Sequence, residues 1–262
     1  SFSTIRLPVR ASGMKTFCTD PSAYEDPSGR SNRLCRFLRN LTLWEGDFGG
    51  KPFVLHPFQE AIVRRIYGPT RPDGGRLVRI ACIWIPRGNA KTTLAAGLAL
   101  AHFMGPEAEE GGQVIAAAAD RAPAGIAFNC AHQFVLQDEV LTARVRAAES
   151  RKQMRHPKTA SVFKAISSEA YSKHGMNCSF FLADEIHAWP AEDGRKLYGV
   201  VTDSMVKRSA PLTIIISTVG EGTGGLAAGL WQYSQRVACG EIIDPTFAPI
   251  IFAADPNTDW QD

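Results

Sequence analysis

The apolar positions of this chain gather into short solid runs separated by stretches of helical periodicity. The runs are 77–85 (LVRIACIWI), 113–119 (QVIAAAA), 160–167, 178–183 (CSFFLA), 211–218 (PLTIIIST) and 247–252. A continuous apolar run with β-branched members marks a strand buried on both faces, as in a parallel sheet. Between the runs, period-3.6 patterns predict helices near 59–67, 90–104, 122–136, 193–206 and 226–239. Strands alternating with helices imply an α/β fold, with a central, mainly parallel sheet flanked by helices and right-handed crossovers. Residues 1–31 are rich in Ser, Thr, Pro and Gly and read as an irregular arm. A short helix follows, capped by Ser31 or Asn32, with an apolar stripe of Leu34, Phe37, Leu38 and Leu41.

Two of the predicted strands end in residues with chemistry. The run 77–85 passes directly into Pro86-Arg87-Gly88-Asn89-Ala90-Lys91-Thr92-Thr93 and then into a helix. A loop opening a helix aims unpaired backbone N–H groups and the positive end of the helix dipole at one point, which suits phosphate. In that setting Lys91 meets the β- and γ-phosphates of ATP and the Thr92 hydroxyl holds Mg²⁺. Ile85 and Ala90 stand where G-x-x-x-x-G-K-[ST] has its glycines, so this loop alone also fits an ordinary strand-to-helix turn. The run 178–183 ends in Asp184-Glu185 at the strand's C-terminal end, where open α/β sheets bind ligands. Asp184 is placed to hold Mg²⁺ through water, and Glu185 to orient the water that attacks the γ-phosphate. Each site supports the other, and together they describe a P-loop NTPase of the ASCE, RecA-like kind.

Composition narrows the alternatives. The chain is 45% apolar and 21% charged with a net charge of +3, so affinity for a polyanion must come from local clusters. Six scattered cysteines without a C-x-x-C pair suit reduced thiols better than a disulfide framework or zinc site. No apolar run approaches the ~18 residues of a membrane span, so no membrane partner is expected. Neither H-E-x-x-H nor G-x-S-x-G occurs, and His187 reads as a turn residue at the mouth of the nucleotide site.

Other residues extend the site. Gln59 opens a predicted helix, and its amide offers the donor and acceptor that an adenine edge requires, although a lone helical Gln is ordinarily a surface residue. Ser217 and Thr218 end another buried strand, where their hydroxyls suit either contact with the γ-phosphate or its attacking water or simple capping of the strand end. Arg144, Arg146, Arg151, Lys152, Arg155 and Lys158 crowd around His156-Pro157 in a helix end followed by a loop or hairpin. Three readings stand for this cluster: a solvated loop, nucleic-acid phosphate contacts, or an arginine donated into a neighbouring subunit's ATP.

Four motifs in order resemble the large terminase subunit of tailed bacteriophages. They are L-x-L-W-E-G-x-F-x-G-K-P-F-x-L-x-P-F-Q at 41–59, P-R-G-N-x-K-T at 86–92, L-A-D-E-I-H-A-W at 182–189 and S-T-x-G at 217–220. The resemblance covers nearly the whole chain from about residue 41. It implies a Mg²⁺-dependent ATPase that drives double-stranded DNA into a procapsid from a ring of its own copies. A portal protein and a small terminase subunit are the implied partners, in the cytoplasm of an infected bacterial host at the procapsid portal. By the same resemblance Gln59 reads adenine, residues 86–93 cradle the phosphates and Asp184 carries Mg²⁺ together with Thr92. Glu185 is the base, and Ser217-Thr218 couples hydrolysis to DNA movement. The expected arginine finger is Arg87 within the subunit, or Arg144, Arg146 or Arg151 across the ring. The expected layout is an N-terminal arm and short helix at 1–40, the ATPase domain at 41–253 and the start of a linker at 254–262. In the family a nuclease domain follows that linker, so DNA cleavage by this chain alone is not expected. The alternatives are a DExH-type helicase or translocase fragment, suggested by Asp184-Glu185-Ile186-His187, and a nucleotide-dependent scaffold without significant turnover.

Overall fold

The computed structural model describes residues 17–118, 121–167, 176–219 and 225–252. Residues 1–16 of the arm, the glycines at 220, 222 and 224 and the linker at 254–262 lie outside them. The elements in order are α1 (Arg30–Arg39), α2 (Pro57–Tyr67), β1 (Ile80–Trp84), α3 (Lys91–Met104), β2 (Gln113–Ala118) and α4 (Arg121–Leu136). Next come α5 (Glu139–Arg144), β3 (Arg146–Ala148), β4 (Gln153–His156), β5 (Ser161–Ser167) and β6 (Cys178–Asp184). The last are α6 (Ala191–Ser204), β7 (Leu212–Ser217), α7 (Gly225–Ala238) and β8 (Phe247–Ile251).

The strands form one sheet in the order β3-β4-β5-β2-β6-β7-β1-β8. The block from β5 to β8 is parallel, and β3 and β4 extend it as an antiparallel hairpin. The expected mainly parallel sheet is present. Successive side chains of a strand point to opposite faces, so each buried strand feeds two cores. Ala81 and Ile83 of β1 join the core beneath α1 to α4, while Cys82 and Trp84 join the core beneath α6 and α7. Helix α3 is buried from Leu94 to Phe103, as expected of a helix apolar on all sides. At its middle, a Cβ on Gly97 would lie 2.6 Å from Leu38 Cδ2 of α1, so glycine is what lets the two helices approach. Leu34, Cys35 and Leu38 of α1 lie in the same core as the sheet. The cap of α1 comes from neither Ser31 nor Asn32: the Asp26 carboxylate accepts from the backbone N–H of both, at 3.1 and 2.9 Å. An acid at a helix start also answers the helix dipole, and it frees Asn32 to accept from Arg64 at 2.9 Å.

Candidate nucleotide site

Strands β6, β7 and β1 are neighbours and parallel, so their C-terminal ends deliver three motifs to one edge of the sheet. Beyond β1, residues 86–90 form the phosphate loop, with Pro86, Arg87, Gly88 and Ala90 exposed and Asn89 partly so. Asn89 Nδ2 donates to the carbonyls of Pro86 and Arg87 at 3.1 and 3.3 Å, bracing the turn. Gly88 takes φ 84°, and Ala90, the cap of α3, takes φ 48° and ψ 30°. Ala90 therefore adopts the left-handed backbone of the glycine usual at that position, at a cost of about 1 kcal/mol. Lys91, Thr92 and Thr93 form the first turn of α3, whose unpaired N–H groups face the loop.

Asp184, the last residue of β6, is buried, and Glu185 just beyond it stands in the left-handed region, with φ 49° and ψ 48°. That turn swings Glu185 toward Lys91, and the two side chains form an ion pair, the Lys91 side chain being only 11% exposed. His187 Nδ1 lies 3.0 Å from Glu185 Oε2, 3.0 Å from Ser217 Oγ and 3.3 Å from Thr218 Oγ1. Its backbone N–H also donates to Ser217 Oγ at 3.3 Å. The site is thus a continuous polar chain: phosphate loop, Lys91, Glu185, His187, and the hydroxyls at the end of β7. Trp189 Nε1 donates to the Asp184 carbonyl at 2.9 Å, which holds the turn against the strand.

The electrostatics follow from burial. Burial first, and the Glu185 charge second, raise the Asp184 carboxyl to a pKa of about 6 against the partial relief of Lys91. His187 is pushed below its ordinary value by burial, with Lys91 and Arg87 acting in the same direction against Glu185. The ring is therefore neutral at pH 7. Asp184 Oδ1 is buried without a hydrogen-bond partner, and neither Lys91 Nζ nor Glu185 Oε2 is aligned for one. A buried, unpartnered carboxylate oxygen beside the Thr92 turn is the donor chemistry that Mg²⁺ selects, so these residues fit the metal.

Gln59 proves not to be a surface residue: it is 1% exposed. Its Oε1 accepts from the His56 backbone N–H at 3.0 Å, closing the cap of α2, while Nε2 is buried without a partner. The acceptor half of the amide is thus committed to the helix cap, and the donor half has no partner among the described residues. Phe58 beside it meets Phe252 ring to edge at 5.8 Å, and the Phe252 N–H donates to the Trp84 carbonyl at 2.9 Å. That contact places the start of α2 at the end of β1, beside the phosphate loop.

The arginine candidates separate by position. Arg87 is on the loop itself. Arg144 ends α5, Arg146 begins β3 and Arg151 lies in the β3–β4 turn. Five inter-strand spacings of ~4.8 Å separate β4 from β1, several times the length of an arginine side chain, so none of these three reaches its own phosphate loop. The Ala165 N–H donates to the Lys152 carbonyl at 3.0 Å, which sets Arg151 at the nucleotide edge of the sheet. Arg146 pairs with Arg155, which faces Val162 near the start of β5, away from that edge. Sequence reasoning missed the bridging place of His187. Its partners at 217 and 218 are brought to it by the β6–β7 pairing alone.

A phosphate loop, a strand-end acid pair and a third strand ending in hydroxyls, side by side on a parallel sheet, define a P-loop NTPase. Over residues 57–236 the chain matches the terminase large subunit, ATPase domain, and it belongs to that family. It is 31% identical over 193 residues to the large terminase subunit of Enterobacteria phage HK97, covering 72% of this chain and 36% of that protein. The crystal structure of the HK97 bacteriophage large terminase superposes with a TM-score of 0.75 at 27% identity, covering 88% of this chain and 45% of that one. The chain spans less than half the length of either relative.

Proposed function

We propose that this chain is the ATP-hydrolysing motor domain of a terminase large subunit, and that it drives double-stranded DNA into a procapsid with Mg²⁺ bound at Asp184 and Thr92. The observation that carries the reading is the Lys91–Glu185 ion pair, which sets the phosphate-binding lysine against the candidate base. The phosphate loop and the first turn of α3 bind the β- and γ-phosphates, and the Gln59 Nε2 donor meets an acceptor on the adenine edge. When bound, Mg²⁺ neutralises phosphate charge. The γ-phosphate draws Lys91 off Glu185, and the freed carboxylate takes a proton from the attacking water. As the new P–O bond forms, the bond to the β–γ bridging oxygen breaks, giving ADP and phosphate. His187 carries the state of Glu185 to Ser217 and Thr218 on β7. Among the distant arginines, Arg151 has the position for a finger acting on the next subunit's ATP. In the family setting the chain works as a ring at the portal with the small subunit, inside the infected cell.

The test is phosphate release with and without Mg²⁺ and DNA, alongside ATP binding by Lys91→Ala. Hydrolysis that needs Mg²⁺ and rises with DNA, together with lost ATP binding by the variant, is expected. Full ATP affinity in Lys91→Ala overturns the site, and DNA-indifferent turnover overturns the motor. For the finger, Arg151→Ala mixed with Glu185→Gln should hydrolyse more than the two measured apart. A rate no greater than their average excludes Arg151 as a finger in trans.

A further inference from the structure

The hairpin β3–β4 and its neighbour β5 carry a feature that the nucleotide site does not use. In an antiparallel pair, directly opposite residues point to the same face. Arg146 lies opposite Arg155, Arg155 lies opposite Val162, and Gln153 lies opposite Lys164. One face of these three strands therefore presents Arg146, Arg155 and Lys164, all exposed. The other face buries Met154 and Phe163 in the core. The sequences RAA, QMRH and SVFKAIS of the three strands contain no acid. Among the described residues none of the three cations forms an ion pair, and the helices on this side of the sheet pack over β6 and β8.

Like charges directly opposite on adjacent strands are destabilising. Guarding an edge strand against aggregation needs charge but not charge of one sign, and Lys164 is two strands in from the edge. A flat row of unanswered cations across neighbouring strands matches a polyanion. A second copy of this chain, with its net charge of +3, offers no overall counter-charge.

We propose that the face of β3, β4 and β5 carrying Arg146, Arg155 and Lys164 is a docking surface for the phosphate backbone of duplex DNA. The inference rests on the packaging-ATPase reading and adds to it where the DNA lies. Contacts of this kind are indifferent to base sequence, and each adds about 0.9 to the slope of log affinity against log salt.

The experiment measures binding of a mixed-sequence linear duplex across a salt series, and DNA-stimulated hydrolysis, for the wild type, Arg155→Ala/Lys164→Ala and Arg155→Lys/Lys164→Arg. The alanine pair should lose about 1.8 from the salt slope, bind weakly at every sequence and lose DNA stimulation, with basal hydrolysis kept and a melting temperature no lower than that of the wild type. The charge-conserving pair should behave as the wild type. Unchanged slope and stimulation in the alanine pair overturn the surface while leaving the motor reading intact. A wild type that binds no DNA overturns the motor reading first, and this surface with it. Intact DNA binding with a falling soluble fraction shows that the cations only guard the edge.

Discussion

The middle of the sheet and its hairpin flank treat charge in opposite ways. At the ends of β6, β7 and β1, the acid that turns toward the phosphate loop is answered from within the chain: Lys91 pairs with Glu185, and His187 bridges Glu185 to Ser217. On the flank, three cations share a face that contains no acid. A charge network closed within the chain holds reacting groups in place, as hydrolysis of a small ligand requires. A row of one sign left open to solvent suits a large partner that brings the counter-charge with it. On the proposed reading, the closed network is the part that does chemistry and the open row is the part that holds the load.

Four substitutions test that separation, and the largest effect belongs to the centre. Glu185→Gln keeps the shape of the side chain and removes the proton acceptor, so kcat should fall at least ~100-fold. Because Lys91 is then released from its ion pair, ATP should bind at least as tightly as to the wild type in a nucleotide titration. Turnover within a fewfold of wild type would remove Glu185 from the base role, and with it the claim that the centre is the chemical half.

Asp184→Asn comes next. The folded carboxyl has a pKa of about 6 against an ordinary 3.8, so the native state favours the protonated form. Stability associated with this group is complete below the ordinary value and is lost as pH rises through about 6. At pH 7.5 the ionised carboxylate opposes folding, and the amide should be more stable by on the order of 2 kcal/mol. Near pH 4 the gain should have largely disappeared. Denaturant unfolding at the two pH values checks this, and a gain that does not depend on pH would show that burial of the charge is not its cause. Mg²⁺-dependent hydrolysis should be lost in the same protein.

The centre was legible in the sequence because its signals are local. An apolar run ending in Asp184-Glu185 and another ending before Lys91 announce their own chemistry, and parallel topology does the rest. What stayed hidden depends on pairing across the chain. His187 sits two residues after Glu185, yet its role comes from Ser217, which only the β6–β7 register brings to it. Gln59 resembled a solvated helix residue because nothing in its neighbours predicts that the His56 backbone would take its Oε1. The flank was least legible of all. Arg146, Arg155 and Lys164 are each nine residues apart, and strands as short as RAA and QMRH show no alternation to place them on one face. The four arginines of α1 at 30, 33, 36 and 39 gave a far more regular pattern. Two of them are committed to internal ion pairs, Arg30 with Glu107 and Arg39 with Glu60.

A smaller effect is expected at Ala90, where the centre stores backbone strain. The residue holds φ 48°, a conformation glycine adopts freely, and glycine's greater freedom in the unfolded chain offsets part of the relief. Ala90→Gly should gain about 0.5–1 kcal/mol, read as a rise of a few degrees or less in Tm. A fall in Tm would show that the loop tolerates alanine without strain. The same variant should bind ATP at least as well, since the loop keeps its fold.

The smallest effect belongs to the flank and has the opposite logic. Arg155→Gln removes one of two guanidinium groups that face each other across β3 and β4, so the free protein should become more stable by roughly 0.2–1 kcal/mol. Basal hydrolysis should not change, because five strand spacings of ~4.8 Å lie between β4 and β1. With duplex DNA present the order should reverse: the wild type, which binds more tightly, gains more stability by mass action than the variant does. Melting both proteins with and without DNA at low salt measures the two differences together. A variant that is less stable in both conditions would mean that Arg155 supports the hairpin in a way its position opposite Arg146 does not show, and the flank would then be structure rather than docking surface.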